Sequence, residues 1–309
     1  MKKDSKILVL GSGGLVGGSV IRKLKTAGYS KILTPKRKEL DLIIQKDVLD
    51  YFAANQPEYV FLAAAKVGGI MANATYPADF IYQNLMVQNN VIHVSAVTNV
   101  KKLLFLGSSC IYPRECPQPI KEEYLLSGHL EQTNKAYAMA KIAGLTMCEA
   151  YNKQYGLNAI SVMPCNLYGP GDNFDLNNSH VLPALLRKFH EAKPDDPVTV
   201  WGTGSPLREF LYIEDLADAL HFLMLNYDDP SPINVGSGMD LKIKDLALLI
   251  QEVTGHSGEI FWDTSKPNGT PRKVLDISKI KSLGWMPEIS LREGIRKTYA
   301  WYLAKRLSQ

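Results

Sequence analysis

Two rhythms divide the chain. Up to about residue 165, short β-rich apolar runs alternate with stretches of helical character; beyond it the runs shorten, and loops rich in Gly, Asn and Asp come between them, as over 169–179. The first part predicts strands at 6–10, 31–34, 59–65, 101–107 and 159–163, with helices at about 15–28, 45–55, 79–99 and 134–155 between them. A run such as Val60-Phe61-Leu62-Ala63-Ala64-Ala65 has no polar alternation, which suits a strand covered on both faces as in a parallel sheet. The second part predicts helices near 181–192, 214–226, 242–254 and 291–307 among short strands.

Strand and helix in alternation, joined by right-handed crossovers, predict an α/β chain with a doubly wound parallel-sheet (Rossmann) domain, whose ligands sit beyond the carboxyl ends of the strands. The expected division is a dinucleotide-binding domain over 1–165 and a smaller C-terminal α/β lobe over 166–309 that closes on the ligand's reactive end. Val198-Thr199-Val200-Trp201, then Phe210-Leu211-Tyr212-Ile213 and a helix, suggest a return to the first domain over about 198–228. There is no internal repeat and no low-complexity tract.

Composition narrows the picture modestly. A hydrophobic fraction of 46% over 309 residues is ample for a packed core. Thirty-five basic residues against 31 acidic ones leave +4, spread without a long like-charge block, so nothing calls for nucleic acid or an anionic membrane. Cys110, Cys116, Cys148 and Cys165 form no Cys-x-x-Cys pair and no zinc spacing, which suits a reducing compartment and no metal site. Met1-Lys2-Lys3 before an apolar stretch resembles a signal peptide, but Gly11-Ser12-Gly13-Gly14 interrupts that stretch after four residues. With no run of membrane-spanning length, the expectation is a soluble, cytoplasmic protein.

Chemistry concentrates at strand ends. Gly11-Ser12-Gly13-Gly14-Leu15-Val16-Gly17 fits Gly-x-x-Gly-x-x-Gly through Gly11, Gly14 and Gly17. Glycines there permit a tight turn and close backbone approach, and the helix that follows offers free N–H groups to a pyrophosphate. After the second strand comes Thr34-Pro35-Lys36-Arg37-Lys38, where an acidic residue would favour NAD and basic ones accommodate the 2′-phosphate of NADP. The rival reading of Lys36, Arg37 and Lys38 is a solvated basic turn.

Tyr137 and Lys141, four residues apart, share one helix face, close enough for the ammonium to act on the phenol. A tyrosine ordinarily titrates near about 10, so a fixed positive charge and a hydrogen bond are what would let it exchange a proton near neutral pH. The same spacing on an ordinary helix is a surface lysine one turn from a half-buried tyrosine; the glycine turn upstream favours the oxidoreductase reading. Gly107-Ser108-Ser109-Cys110-Ile111-Tyr112-Pro113 closes the fourth strand, and if the backbone stays extended Ser108 and Cys110 point to one side. Ser108 is either a cap or a donor to a carbonyl oxygen; Cys110 is either a small core residue or an acid/base. His180, after a polar loop, is not distinguished by its local sequence.

These motifs, together with Ala63–Ile70, 76–84, 106–113, 166–170, 179–181, 208–211 and 269–273, resemble the extended short-chain dehydrogenase/reductases over nearly the whole chain. Within that family they are similar to the NADPH-dependent enzymes that convert GDP-4-keto-6-deoxy-D-mannose to GDP-L-fucose by 3,5-epimerisation and 4-keto reduction. The resemblance implies a reductase triad of Ser108, Tyr137 and Lys141, and an epimerase acid/base pair of Cys110 and His180. It implies NADPH contacts at Gly11, Ser12, Gly13, Gly14, Leu15, Val16 and Gly17, and at Lys36, Arg37, Lys38, Glu39, Leu40, Asp41 and Leu42. Further cofactor contacts are implied at Leu106, Gly107, Ser108, Ser109, Lys141, Pro164, Cys165, Asn166, Leu167 and His180. The GDP-sugar would meet Lys188, Trp201, Arg208, Asn268 and Lys273. Two residues depart from the family's pattern: Gly13 stands where some relatives carry arginine, which moves any 2′-phosphate contact toward Lys36 and Arg37, and Asn268 stands where Asp is expected. Relatives pair through long helices like those at 79–99 and 134–155, so a homodimer is expected.

The rivals are another NADP-linked sugar-nucleotide epimerase or reductase, and a non-catalytic NADP-sensing protein on the same fold. A dehydratase of this superfamily would carry an Asp-Glu pair where Ser109-Cys110 stands. A sensor has no need for Tyr137 and Lys141 at this spacing.

Overall fold

The computed structural model describes residues 1–176, 179–266 and 268–307; two residues of the expected 169–179 loop, Asn177 and Asn178, lie outside them. In chain order the first part holds β1 (Ile7–Leu10), α1 (Leu15–Thr26), β2 (Ile32–Leu33), α2 (Gln45–Asn55), β3 (Tyr59–Leu62), α3 (Ile70–Thr75), α4 (Pro77–Val97), β4 (Lys102–Leu106), α5 (Lys135–Tyr155) and β5 (Ala159–Pro164). The second holds β6 (Asn166–Tyr168), α6 (Val181–Glu191), β7 (Val198–Trp201), β8 (Leu207–Tyr212), α7 (Ile213–Asn226), β9 (Ile233–Val235), β10 (Asp240–Lys242), α8 (Ile243–Thr254), β11 (Ile260–Asp263), β12 (Arg272–Lys273), α9 (Ser278–Ser282) and α10 (Leu291–Leu307).

The five strands read from the first part of the sequence, joined by β9, which the sequence reading did not mark, form one six-stranded parallel sheet in the order β2-β1-β3-β4-β5-β9. Helices cover both faces, which is why every residue of β1, β4 and β5 is buried. The doubly wound fold expected from the sequence is the one observed. Its order reverses between β1 and β3, so the crevice at their carboxyl ends is the natural ligand site. Local signals also set the helix ends: Pro77 opens α4 at its first turn, Asn99 leaves it with φ +56, and Gly156 closes α5 with φ +70.

The return to this sheet begins later than the expected 198–228. Val198–Trp201 pairs only with β11, in a two-stranded parallel ribbon, and its alternating burial shows one covered face. β8 belongs to a second, four-stranded sheet, flanked by β10 on one edge and by β12 and β6 on the other. The segment that goes back is α7, packed on α1, followed by β9 beside β5. Ion pairs from Arg22 to Glu214 and from Lys23 to Asp218 fasten the two helices at their rims.

The two cores reflect this division. One, around Ile7, Phe61, Leu104, Ile160 and Leu216, fills the parallel sheet; the other, around Tyr168, Leu186, Phe189, Phe210 and Leu246, fills the second lobe. Glu209 sits where they meet, almost wholly buried, with its carboxylate accepting the Gly238 and Leu275 amides at 2.6 and 2.9 Å. Burial lifts this carboxyl to about 7. No helix among the described residues is long and apolar enough to cross a membrane.

Candidate active site

Beyond the carboxyl ends of β1, β3, β4 and β5 a cleft of about 2140 Å³ runs between the two lobes. The site residues expected from the sequence lie on its wall, apart from Gly17, Lys38 and Glu39. Those three sit behind it for local reasons.

Gly11 has φ +85, and a Cβ there would stand 2.8 Å from the Ala63 backbone; a Cβ on Gly17 would stand 2.1 Å from the Gly11 carbonyl oxygen. Gly17 is therefore packing beneath the turn, whereas Gly13 has nothing within 4 Å and opens to the cleft. Gly14 flanks α1 in an extended conformation with no side chain capping the helix, so the first-turn amides face the cleft without an internal partner. An anion of a dinucleotide's pyrophosphate type fits such a cradle.

The basic turn after β2 divides by side. Lys36 and Arg37 reach the wall, together with Leu40, Asp41 and Leu42. Lys38 and Glu39 form the far side, where the Glu39 carboxylate accepts the Lys36 amide at 2.7 Å. Arg37 lies 3.8 Å from Asp41 and is largely exposed, a weak pairing that a phosphate would readily displace.

The condition set on the strand end beyond β4, that its backbone stay extended, is not met: Ser109–Ile111 coil into a single 3₁₀ turn. Ser108 caps it, its Oγ accepting the Cys110 amide at 3.2 Å, and its hydroxyl faces the Tyr137 phenol closely enough to act on its proton. Tyr137 is wedged edge-on against Phe80 with ring centroids 6.3 Å apart. Burial raises its pKa, the nearby Cys110 adds to the rise, and Ser108 opposes it. The phenol keeps its proton at neutral pH.

Lys141 is buried one turn along α5, its Nζ donating to the Leu106 carbonyl at 2.7 Å and lying 5.9 Å from the Tyr137 ring centroid. Burial lowers its pKa to about 8. The expected action of ammonium on phenol is thus at ring distance, with the charge held on a strand-end carbonyl. His180 immediately precedes α6 in extended backbone and stays open to the cleft, yet the protein crowding its ring keeps the imidazole below its ordinary value.

The second lobe supplies the opposite wall. Lys188 donates to the Thr199 carbonyl at 2.9 Å and, with Lys266, lies over the exposed Trp201 ring at 5.7 and 5.6 Å. Asn268 accepts the Thr203 amide at 2.8 Å and so pins its loop to the turn after β7. Arg208 and Lys273 stand opposite each other in the β8/β12 register, and Lys273 Nζ reaches Cys110 Sγ at 3.6 Å.

Several wall residues carried no sequence signal. Asp172 has a buried, unpartnered Oδ2 and a carboxyl lifted by burial to about 7, but it lies in a polar loop that reads only as a loop. Arg114, Glu131 and Asn134 line a smaller recess beside Cys110, Arg114 and Glu131 as an ion pair at 3.5 Å; only the fold brings them there.

The sequence matches the NAD dependent epimerase/dehydratase family over residues 7–236. It is 58% identical to putative GDP-L-fucose synthase 2 of Arabidopsis thaliana, covering 98% of this chain and 93% of that one. With GDP-L-fucose synthase of Escherichia coli (strain K12) the identity is 50%, covering 96% of each. Among solved structures, a GDP-L-fucose synthetase from Naegleria fowleri bound to NADP superposes with a TM-score of 0.93 at 31% identity, covering 100% of this chain and 95% of that one. The glycine cradle, the tyrosine and lysine on one face of α5 and this likeness along the whole length agree: the chain belongs to the NAD dependent epimerase/dehydratase family, in the branch of the GDP-L-fucose synthases.

Proposed function

We propose that this enzyme converts GDP-4-keto-6-deoxy-D-mannose to GDP-L-fucose by inverting C3 and C5 and then reducing C4 with NADPH. The observation that carries the reading is the meeting of two kinds of proton-handling group in one cleft: Cys110 stands beside Tyr137, close enough to perturb its phenol. NADPH would rest on the glycine turn, with its 2′-phosphate toward Lys36 and Arg37, and when bound it supplies hydride for C4. The GDP moiety would lie toward Lys188, Trp201, Arg208, Asn268 and Lys273.

A C4 ketone acidifies the hydrogens on both C3 and C5, since either carbanion is an enolate of the same carbonyl. One acid/base pair, Cys110 and His180, serves both centres by taking a proton from one face and returning it to the other. In the reduction Ser108 holds the C4 oxygen and Tyr137 protonates it; the raised pKa of the phenol suits a donor. Lys141 steadies the phenolate left behind. The protein acts as a cytoplasmic homodimer, with exposed Tyr82, Val97 and Met139 on α4 and α5 where a second copy would pack.

The test is product identification, with a labelled control. Purified protein given NADPH and the keto sugar should yield GDP-L-fucose, with NADPH favoured over NADH by roughly ten- to a hundred-fold, as one phosphate contact of ~1.5–3 kcal/mol allows. In deuterated water without NADPH, Tyr137→Phe should still wash deuterium into C3 and C5 while losing ~10²–10⁴-fold in reduction. Cys110→Ala and His180→Ala should lose the exchange. Normal exchange in both alanine variants would remove the acid/base pair from the reading.

A further inference from the structure

Cys110 and Lys273 come from different lobes, one in the turn after β4 and the other on β12, and their side chains meet at 3.6 Å. Among the described residues no carboxylate lies within ion-pair distance of Lys273, and besides Cys110 its charge reaches only the thiols of Cys116 and Cys165. The other charged or titratable groups around the thiol add little negative charge. Arg208 lies opposite Lys273 in the strand register and its guanidinium feels Cys110; Tyr137 keeps its proton; Arg114 and Glu131 in the adjoining recess neutralise each other. His180 shares the cleft and is held toward its neutral form. The surroundings of the sulfur are therefore positive on balance. A cation within hydrogen-bond reach of a cysteine favours the thiolate, the form that abstracts protons.

We infer that Lys273 is a positioning residue that holds Cys110 as the thiolate from across the lobe boundary. The inference deepens the proposed function and rests on it only for the consequence that this thiolate works in the epimerisation. Contact with the substrate's diphosphate alone would make Lys273 matter for KM and leave the free thiol unchanged; the present reading makes it matter for the sulfur before any substrate arrives.

The experiment reads that sulfur directly. In a Cys116→Ser background, with Cys148 buried and Cys165 nearly so on the same cleft wall, the difference in iodoacetamide alkylation between this background and its Cys110→Ser derivative reports Cys110. Alkylation rates are followed against pH for the background, for Lys273→Met and Lys273→Gln, and for Lys273→Arg. The neutral variants should move the midpoint of the alkylation curve upward by about one pH unit or more and slow alkylation at pH 7 by about tenfold, and arginine should restore most of it. Melting curves identify any variant that fails to fold, and either neutral variant suffices. Deuterium exchange into saturating keto sugar should fall in kcat alongside the alkylation rate. Superimposable alkylation profiles for the background and a folded neutral variant would overturn the inference, whatever happens to KM. A shifted profile in a protein whose background shows no exchange would uphold the action of Lys273 on the thiol and defeat the proposed reaction instead.

Discussion

Lys141 holds its charge in a buried place, and that sets a pH limit. Its carbonyl partner, Leu106, is neutral, so desolvation dominates and the ammonium persists only below about 8. If the reduction needs that charge, the rate of NADPH oxidation should fall as pH rises through about 8, with Lys141→Met inactive throughout. Stability moves the other way: between about 8 and the ordinary lysine value the folded chain binds fewer protons than the unfolded one, so this group's contribution to stability increases with pH. A melting curve that holds above pH 8 while turnover declines would separate titration from unfolding. A flat pH–rate profile to pH 10 would show that the charge is not required. The pairing of Tyr137 with Lys141 was legible in the sequence because it depends on one helical turn; the medium value of the lysine was not, because it depends on what Phe105 and Leu106 bring to it from β4.

At the scale of elements, the β1 turn and helix α1 act as a unit whose glycines are not equivalent. Gly17→Ala would drive a methyl into the Gly11 backbone, whereas Gly13→Ala enters open space. Overpacking against backbone costs about 1–3 kcal/mol, so Gly17→Ala should lower the melting temperature and weaken NADPH binding, while Gly13→Ala should leave the melting temperature where it is. Calorimetry and cofactor titration of the two variants check this; equal melting temperatures would mean that the turn relaxes without cost. The family resemblance named both glycines alike as cofactor contacts, although only Gly17 belongs to the spacing motif, since neither source carries information on which Cβ would meet a neighbour.

At the scale of the molecule, the nucleotide half is not a separable N-terminal piece. Helix α7 buries Leu216, Leu220 and Leu223, and β9 covers the outer edge of β5. Lys102 on β4, itself buried, donates to the Leu223 and Met224 carbonyls at the end of α7 at 3.2 and 2.9 Å. A fragment of residues 1–165 would leave that ammonium, an open strand edge and the apolar face under α7 in water. It should show no cooperative melting transition and no NADPH binding, by circular dichroism and by cofactor titration. A fragment that melts sharply would mean that α1 to β5 already form a sufficient core.

What the sequence by itself determined is whatever repeats locally. The apolar runs of β1, β3, β4 and β5, the helix ends set by Pro77 and Gly156, the glycine turn and the shared face of Tyr137 and Lys141 follow from strand and helix periods and from residue-level backbone preferences. What only the tertiary structure decided joins segments far apart in the chain. Val198–Trp201 pairs with β11 rather than the main sheet, Lys38 and Glu39 turn away from the cleft, and Lys273 comes to Cys110 across 163 positions. A strand's pattern states that one face is covered but not by which partner, and a charge in a sequence has no neighbours until the lobes have packed.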